Sequence, residues 1–156
     1  MTFQIRPATQ ADQPAITAMV RAAGINPLSL HWPRFRVAED AGRVVGVAQI
    51  KIHGDASREL ASLAVAPDRQ GEGIGGALVQ HLLALPEGRP PLYLMCAQPL
   101  ESYYTRFGFR RVERAEMPPY FRRMTRVAGV FIAIAALFGE QHRVIVMRRD
   151  GAAPTT

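Results

Sequence analysis

An α/β fold of mixed strand direction is what this sequence predicts, and three observations carry the prediction. The chain has 156 residues, 48% of them hydrophobic and 21% charged, enough apolar surface for one real core and too much for a disordered or collagen-like chain. Runs that read as strands interleave with runs at helical spacing, in the order β-α-β-β-β-α-β-α-β-α-β. Finally, the single cysteine, Cys96, excludes a disulfide scaffold and a multi-cysteine zinc finger.

The elements come in order. Phe3 to Arg6 alternates and predicts a short strand. Thr9 and Asp12 have the spacing of a capping box, after which Ile16, Met19, Val20 and Ala23 recur at helical spacing until Gly24 ends the helix. Residues 25–34 contain Asn26-Pro27 and Trp32-Pro33 and read as a loop with at most one short helix. Phe35 to Glu39 and Arg43 to Ile52 predict two strands joined by Asp40-Ala41-Gly42, the second with Val44, Gly46, Ala48, Ile50 and Ile52 on one face. Glu59 to Val65 is apolar enough for a central strand. Ile74 to Leu85 is a helix with Ile74, Ala77, Leu78, Leu82 and Leu85 on one side, followed by a turn over Pro86 to Pro91 and a strand from Leu92 to Ala97. Pro99 to Phe107 can form a short helix that Gly108 ends. Phe109 to Glu116 is strand-like, Pro119 to Phe138 mostly helical, and Arg143 to Arg149 a last strand.

The formal net charge is +6, and Lys51 is the only lysine. Such a chain attracts anions without selecting among them. The late cluster Arg106, Arg110, Arg111, Arg114, Arg122, Arg123 and Arg126 reads as a solvated face, with an anion site as the alternative. Residues 127–138 are apolar all round. They reach about 18 Å, short of the roughly 30 Å of a bilayer core. A buried helix, a homodimer interface and, last, membrane contact are the readings to weigh.

Val65 to Leu78 carries the chemistry. A strand leads into Gln70-Gly71-Glu72-Gly73-Ile74-Gly75-Gly76 and then into an amphipathic helix. Glycines let backbone approach a ligand, and the free N–H groups and dipole of a helix start favour phosphate. Gly71, Gly73 and Gly76 also fit a dinucleotide fingerprint, but the loop begins several residues past the strand and no acidic residue ends the next strand. A P-loop is excluded because no Gly-Lys-Ser/Thr follows. The stretch resembles the GCN5-related N-acetyltransferase family, whose pyrophosphate loop reads Gln/Arg-x-x-Gly-x-Gly/Ala. Leu63 to Pro67 is similar to that family's strand end. Tyr104, four residues before Gly108-Phe109, is similar to its second feature.

The resemblance implies a single-domain fold over 1–150 with a mixed, mostly antiparallel central sheet flanked by helices, and a flexible tail at 151–156. It implies acetyl-CoA as co-substrate and direct acetyl transfer to a primary amine. The diphosphate is expected at Gln70, Gly71, Glu72, Gly73, Ile74, Gly75 and Gly76, and the pantetheine arm along Leu63, Ala64 and Val65. Gln98 stands where many members have Asn. The Leu63 N–H is expected to face the thioester oxygen, and Tyr104 to return a proton to the departing thiolate. Packing alone is the alternative role for Tyr104. Glu59 lies four residues before Leu63, so strand alternation turns both to one face; the resemblance implies Glu59 as a candidate base, since some histone-acetylating members of the family use a Glu at this offset, and an ion pair with Arg58 or another exposed Arg is the alternative.

The family's acceptor specificity lies largely in segments matching 24–36 and 117–140. Leu28, Leu30, His31, Trp32, Arg34 and Phe35 are candidate pocket residues, with Trp32 equally readable as a packed loop anchor. Arg34 and Arg36 suit a carboxylate. A small amine or amino-acid-like acceptor, a protein N-terminus or lysine, and a non-catalytic acyl-CoA-binding module are the functions carried forward. His31, His53, His81 and His142 are scattered without metal spacing, no G-x-S-x-G appears, and Cys96 lies in an apolar strand. No metal, nucleic-acid or membrane partner is expected. With no cationic start followed by an apolar stretch at residues 1–7, a cytoplasmic location is expected.

Overall fold

Seven strands and four helices succeed one another in the predicted order, in a computed structural model that describes residues 2–136 and 143–151, and side chains to Val127 and again from Arg143. The chain divides into two compact units, Met1–Lys51 with Leu60–Arg89, and Ile52–Glu59 with Pro90–Thr156.

The first unit holds β1 (Gln4–Pro7), α1 (Gln13–Ala22), β2 (Phe35–Asp40), β3 (Arg43–Ile52, up to Lys51), most of β4 (Arg58–Val65) and α2 (Ile74–Leu83). β1 pairs antiparallel with β2, and β2 antiparallel with β3 through the turn at Ala41-Gly42. The Thr9–Asp12 box forms: the Thr9 N–H donates to the Asp12 carboxylate at 2.7 Å. Asp12 also takes two bonds from Arg6, at 2.7 and 3.0 Å, and Arg6 reaches on to Glu39. Ile16, Val20, Phe35, Val37 and Val47 form the core of this unit, with Trp32 packed at its margin.

β3 departs from the one-faced pattern. Val45 to Lys51 is buried without a break and Ile52 is 59% exposed, because both faces of this central strand are covered. On one of them α2 approaches very closely. A Cβ added at Gly46 would come within 2.7 Å of Ile74 and 2.9 Å of Leu78, so glycine is what lets this helix seat.

The second unit holds the β3–β4 turn, β5 (Leu92–Ala97), α3 (Glu101–Thr105), β6 (Phe109–Arg111), α4 (Pro119–Ala136) and β7 (Val144–Arg149). β7 lies antiparallel to β5 on one side and to β6 on the other. Glu59, at the start of β4, is the parallel register partner of Tyr93. Tyr93, Val112, Phe121 and Val146 make the core here. β6 stops at Arg111, five residues short of the strand expected to Glu116, because Glu113 to Glu116 turns back on itself: the Glu113 N–H donates to the Glu116 carboxylate at 3.2 Å. The late arginines are partly engaged. Arg110 pairs with Glu116 and Asp150, and Arg111 with Glu101.

The apolar segment 127–138 enters α4, but its side chains beyond Val127 lie outside the described residues, as do residues 152–156 of the expected tail. Among the described residues no helix is long and apolar enough to cross a membrane, and no group of three or more His, Cys, Asp and Glu gathers in a way that could hold a metal ion.

Candidate active site

The glycine loop is built by its own ion pairs. After β4 a 3₁₀ turn, Pro67–Arg69, leads out. Arg69 then grips Glu72 at 2.6 Å and Asp40 at 2.8 Å, and Arg43 holds Asp68 at 2.7 Å. The Gln70 amide donates to the Val65 carbonyl at 3.2 Å, so this side chain ties the loop to the strand end. Gly71 and Gly73 both take left-handed backbone, φ 82° and 83°, the region that favours glycine. Gly73 caps α2. The first internal bond there runs from the Ala77 N–H to the Gly73 carbonyl, so the N–H groups of Ile74, Gly75 and Gly76 precede the helix ladder. The Ile74 side chain is buried while Gly71 and Gly73 are exposed, and a Cβ at either would meet nothing within 4 Å. Open space, donors without helical acceptors and the positive end of a dipole fit a diphosphate. Glu72 is engaged with Arg69, which leaves its backbone rather than its carboxylate to serve an anion.

On β4, Leu63 and Val65 are half-buried and Ala64 is buried. Ser62, immediately before Leu63, has φ 58°, and its hydroxyl accepts from the Gln49 amide at 2.9 Å. A left-handed residue inside a strand disrupts the ladder and re-aims the residues beyond it. Burial nonetheless alternates from Leu60 to Val65, and the count from Glu59 to Leu63 fails at the start of the strand. Glu59 and Leu60 are in fact both buried.

In the second unit, Tyr104 is 8% exposed, at the end of α3 and edge-on to Tyr103 and Phe109. Burial, with the neighbouring Cys96 and Tyr103, pushes its phenol above the ordinary range, so it stays protonated. Cys96 is pushed up to about 11, chiefly by burial, which makes it an inert thiol. Gln98 is exposed and opens a 3₁₀ turn, its N–H bonded to the Arg143 carbonyl at 2.7 Å.

Where Arg58 reaches toward the Pro90 carbonyl at 3.4 Å, Glu59 takes His53 as a partner. Its Oε2 lies 2.7 Å from His53 Nε2, with the two side chains 11% and 10% exposed. The His53 ring stacks on Tyr120 with centroids 3.4 Å apart and meets the edge of Phe121 at 5.8 Å. The Tyr120 N–H donates to Asp55 at 2.9 Å, and the Ser57 N–H and hydroxyl do so at 3.0 and 2.5 Å. Sequence reasoning passed over His53. The signal was the turn itself: the Ser57 carbonyl accepts the His53 N–H at 2.9 Å, so the two strand ends meet and bring residues 53 and 59 together.

Of the acceptor candidates, Phe35 is fully buried in the core of the first unit. Leu28, His31 and Arg34 are exposed. Trp32 has two contacts. It packs on the core margin, and it lines a groove of about 650 Å³ with Pro14, Thr17, Ala18 and Arg21 of α1.

A glycine-rich strand–loop–helix with open amides is the feature these elements share with an acyltransferase, and comparison with known proteins gives the family. An acetyltransferase (GNAT) domain model matches residues 31–111, and the chain belongs to that family. An amino-acid acetyltransferase of Neisseria meningitidis is 30% identical over 137 residues, covering 80% of this chain and 31% of its own length. The structure of N-acetylglutamate synthase from Neisseria gonorrhoeae, complexed with coenzyme A and N-acetyl-glutamate, superposes with a TM-score of 0.72 at 26% identity over 97% of this chain and 36% of that one. Rv2747 from Mycobacterium tuberculosis, in complex with CoA and NLQ, shares the fold at 23% identity and TM-score 0.71, covering 96% of this chain and 99% of that one. The chain thus spans about a third of the length of the curated relatives it matches.

Proposed function

We propose that the chain transfers an acetyl group from acetyl-CoA directly to the primary amine of an amino-acid-like small molecule. The observation that carries this reading is the open amide turn at Gly71 to Gly76 in a chain of this family. The acceptor class is favoured by the amino-acid acetyltransferase relatives and by the exposed Arg34, which suits a carboxylate.

In this reading the amides of residues 71 to 76 bind the diphosphate and the backbone of Leu63 to Val65 pairs with the pantetheine arm. The Leu63 N–H donates to the thioester oxygen as it gains negative charge, a contact worth about 3 kcal/mol in the transition state. Glu59 takes one proton from the acceptor ammonium. The neutral amine then forms the C–N bond as the C–S bond breaks. The sulfur gains a proton from the Tyr104 phenol, the second proton leaving nitrogen restores that phenol, and Glu59 releases its proton to solvent, so the products are the amide, free coenzyme A and one proton.

The test is thiol release from acetyl-CoA against amino acids, other small amines and peptides. Release with an amino acid is expected, and Tyr104→Phe is expected to slow it by about tenfold or more with little change in CoA affinity. Release with no acceptor of the panel would overturn the reading, and an unchanged Tyr104→Phe rate would remove the phenol's role.

A further inference from the structure

His53, Glu59 and Tyr120 form a cluster, the carboxylate buried and the two rings half-buried, that acetyl transfer through Glu59 uses only in part. A buried carboxylate needs a partner, and this chain has arginine in abundance, yet the residue placed on Glu59 is its neighbour across the turn, a histidine at 2.7 Å. The choice has a chemical consequence. An arginine would hold a permanent positive charge on the carboxylate and make it a poor proton acceptor. A neutral imidazole can donate one Nε2–H bond to Oε2, which orients the carboxylate and leaves Oε1 to take a proton. The ring is held for that purpose, with one face against Tyr120 and an edge against Phe121.

We propose that His53 is the positioning residue for Glu59, and that protonation of its ring switches the base off. This rests on the acetyl-transfer reading. When Nδ1 gains a proton the ring becomes a cation, Glu59 becomes half of an ion pair, and the ammonium proton has nowhere favourable to go. The groups that face the ring from each element are the Glu59 carboxylate of β4, the Asp55 carboxylate of the turn and the Tyr120 phenol at the start of α4. The switch is read on the acid side of neutral pH, where imidazoles in general gain a proton. Asp55 stays ionised through this range: although burial disfavours its charge, the bonds from Ser57 and Tyr120 and the nearby His53 hold it below the ordinary carboxylate range.

The experiment is the pH profile of kcat/KM for acetyl transfer by the wild-type chain, His53→Gln and His53→Phe, with CoA affinity measured alongside. Wild-type activity is expected to fall on the acid side within the interval where histidines titrate, about pH 5–8. Gln keeps an N–H donor and cannot be charged. Its activity at pH 8 should lie within about threefold of wild type, with the acid limb displaced to lower pH. Phe keeps the stack and loses the donor, and should lower kcat by about 10- to 100-fold with CoA affinity and acceptor KM unchanged. In parallel, the His53 ring of the wild-type chain, followed by NMR, should change protonation across the same interval as the kinetic limb, a readout that needs no variant to fold. A His53→Gln profile that superposes on wild type, or a ring that keeps one protonation state across the limb, would overturn the proposal while thiol release and CoA binding leave the acetyl-transfer reading standing. Absence of thiol release by the wild-type chain would overturn both.

Discussion

At the scale of single residues, the same side-chain chemistry serves structure in one place and reactivity in another. Asp12 and Glu59 are both buried carboxylates. Asp12 meets the permanently charged Arg6, and that bond, outweighing burial and aided by Thr9, holds its carboxyl down at about 2. Because the folded value lies below the ordinary one near 4, the stabilisation is fully present above that pH and is lost as pH falls through about 2. Asp12→Asn should therefore cost about 1.5–3 kcal/mol at pH 7, and the gap to wild type should close at pH 2 in urea melts. Equal midpoints at pH 7 would show that Asp12 does not hold β1 to α1. Glu59, with histidine in place of arginine, keeps a partner whose charge can change. That difference is hidden from the sequence, where Asp12 announces itself through a three-residue spacing to Thr9 but His53 and Glu59 are related only by the turn that folds between them.

At the scale of elements, the loop before α2 is legible because its signals are local. Left-handed glycines, a helix start and a preceding strand all lie within fourteen residues, Val65 to Leu78. The structure adds why the loop tolerates exposure: Arg69 and Arg43 brace it through Glu72, Asp40 and Asp68. Gly73→Asp separates fold from binding. A Cβ there meets nothing within 4 Å, aspartate is among the residues that visit left-handed backbone, and a carboxylate at a helix start is favoured by about 0.3–1 kcal/mol. The variant should keep its melting temperature within a few degrees and lose CoA binding by at least about tenfold, by putting negative charge where diphosphate belongs; retained affinity in calorimetry would discredit the loop. Other elements are less legible. Alternation along β3 suggests a one-faced strand, because a period of two cannot show that both faces are covered. The end of β6 depends on Glu116 turning back to its own strand's neighbour Glu113.

For the whole molecule, a ligand that binds only the folded chain raises its stability by mass action. Coenzyme A at 100 times its dissociation constant should add about 2.7 kcal/mol, a rise of roughly 5–10 °C in melting temperature at this chain length. No shift at millimolar coenzyme A would count against the anion site as a whole. The order of strands and helices, the helix boundaries at Gly24 and Gly108, the glycine-rich strand–loop–helix and the family it belongs to were all determined by the sequence itself, since each rests on neighbours within a few residues. Tertiary structure alone decided that β3 is covered on both faces, that Glu59 and Leu60 are both buried at the start of β4, that Phe35 lies in the core, and that Glu59 pairs with His53 beneath Tyr120. Those outcomes depend on which distant residues meet. A local pattern states what a side chain can do, and only the folded chain selects its partner.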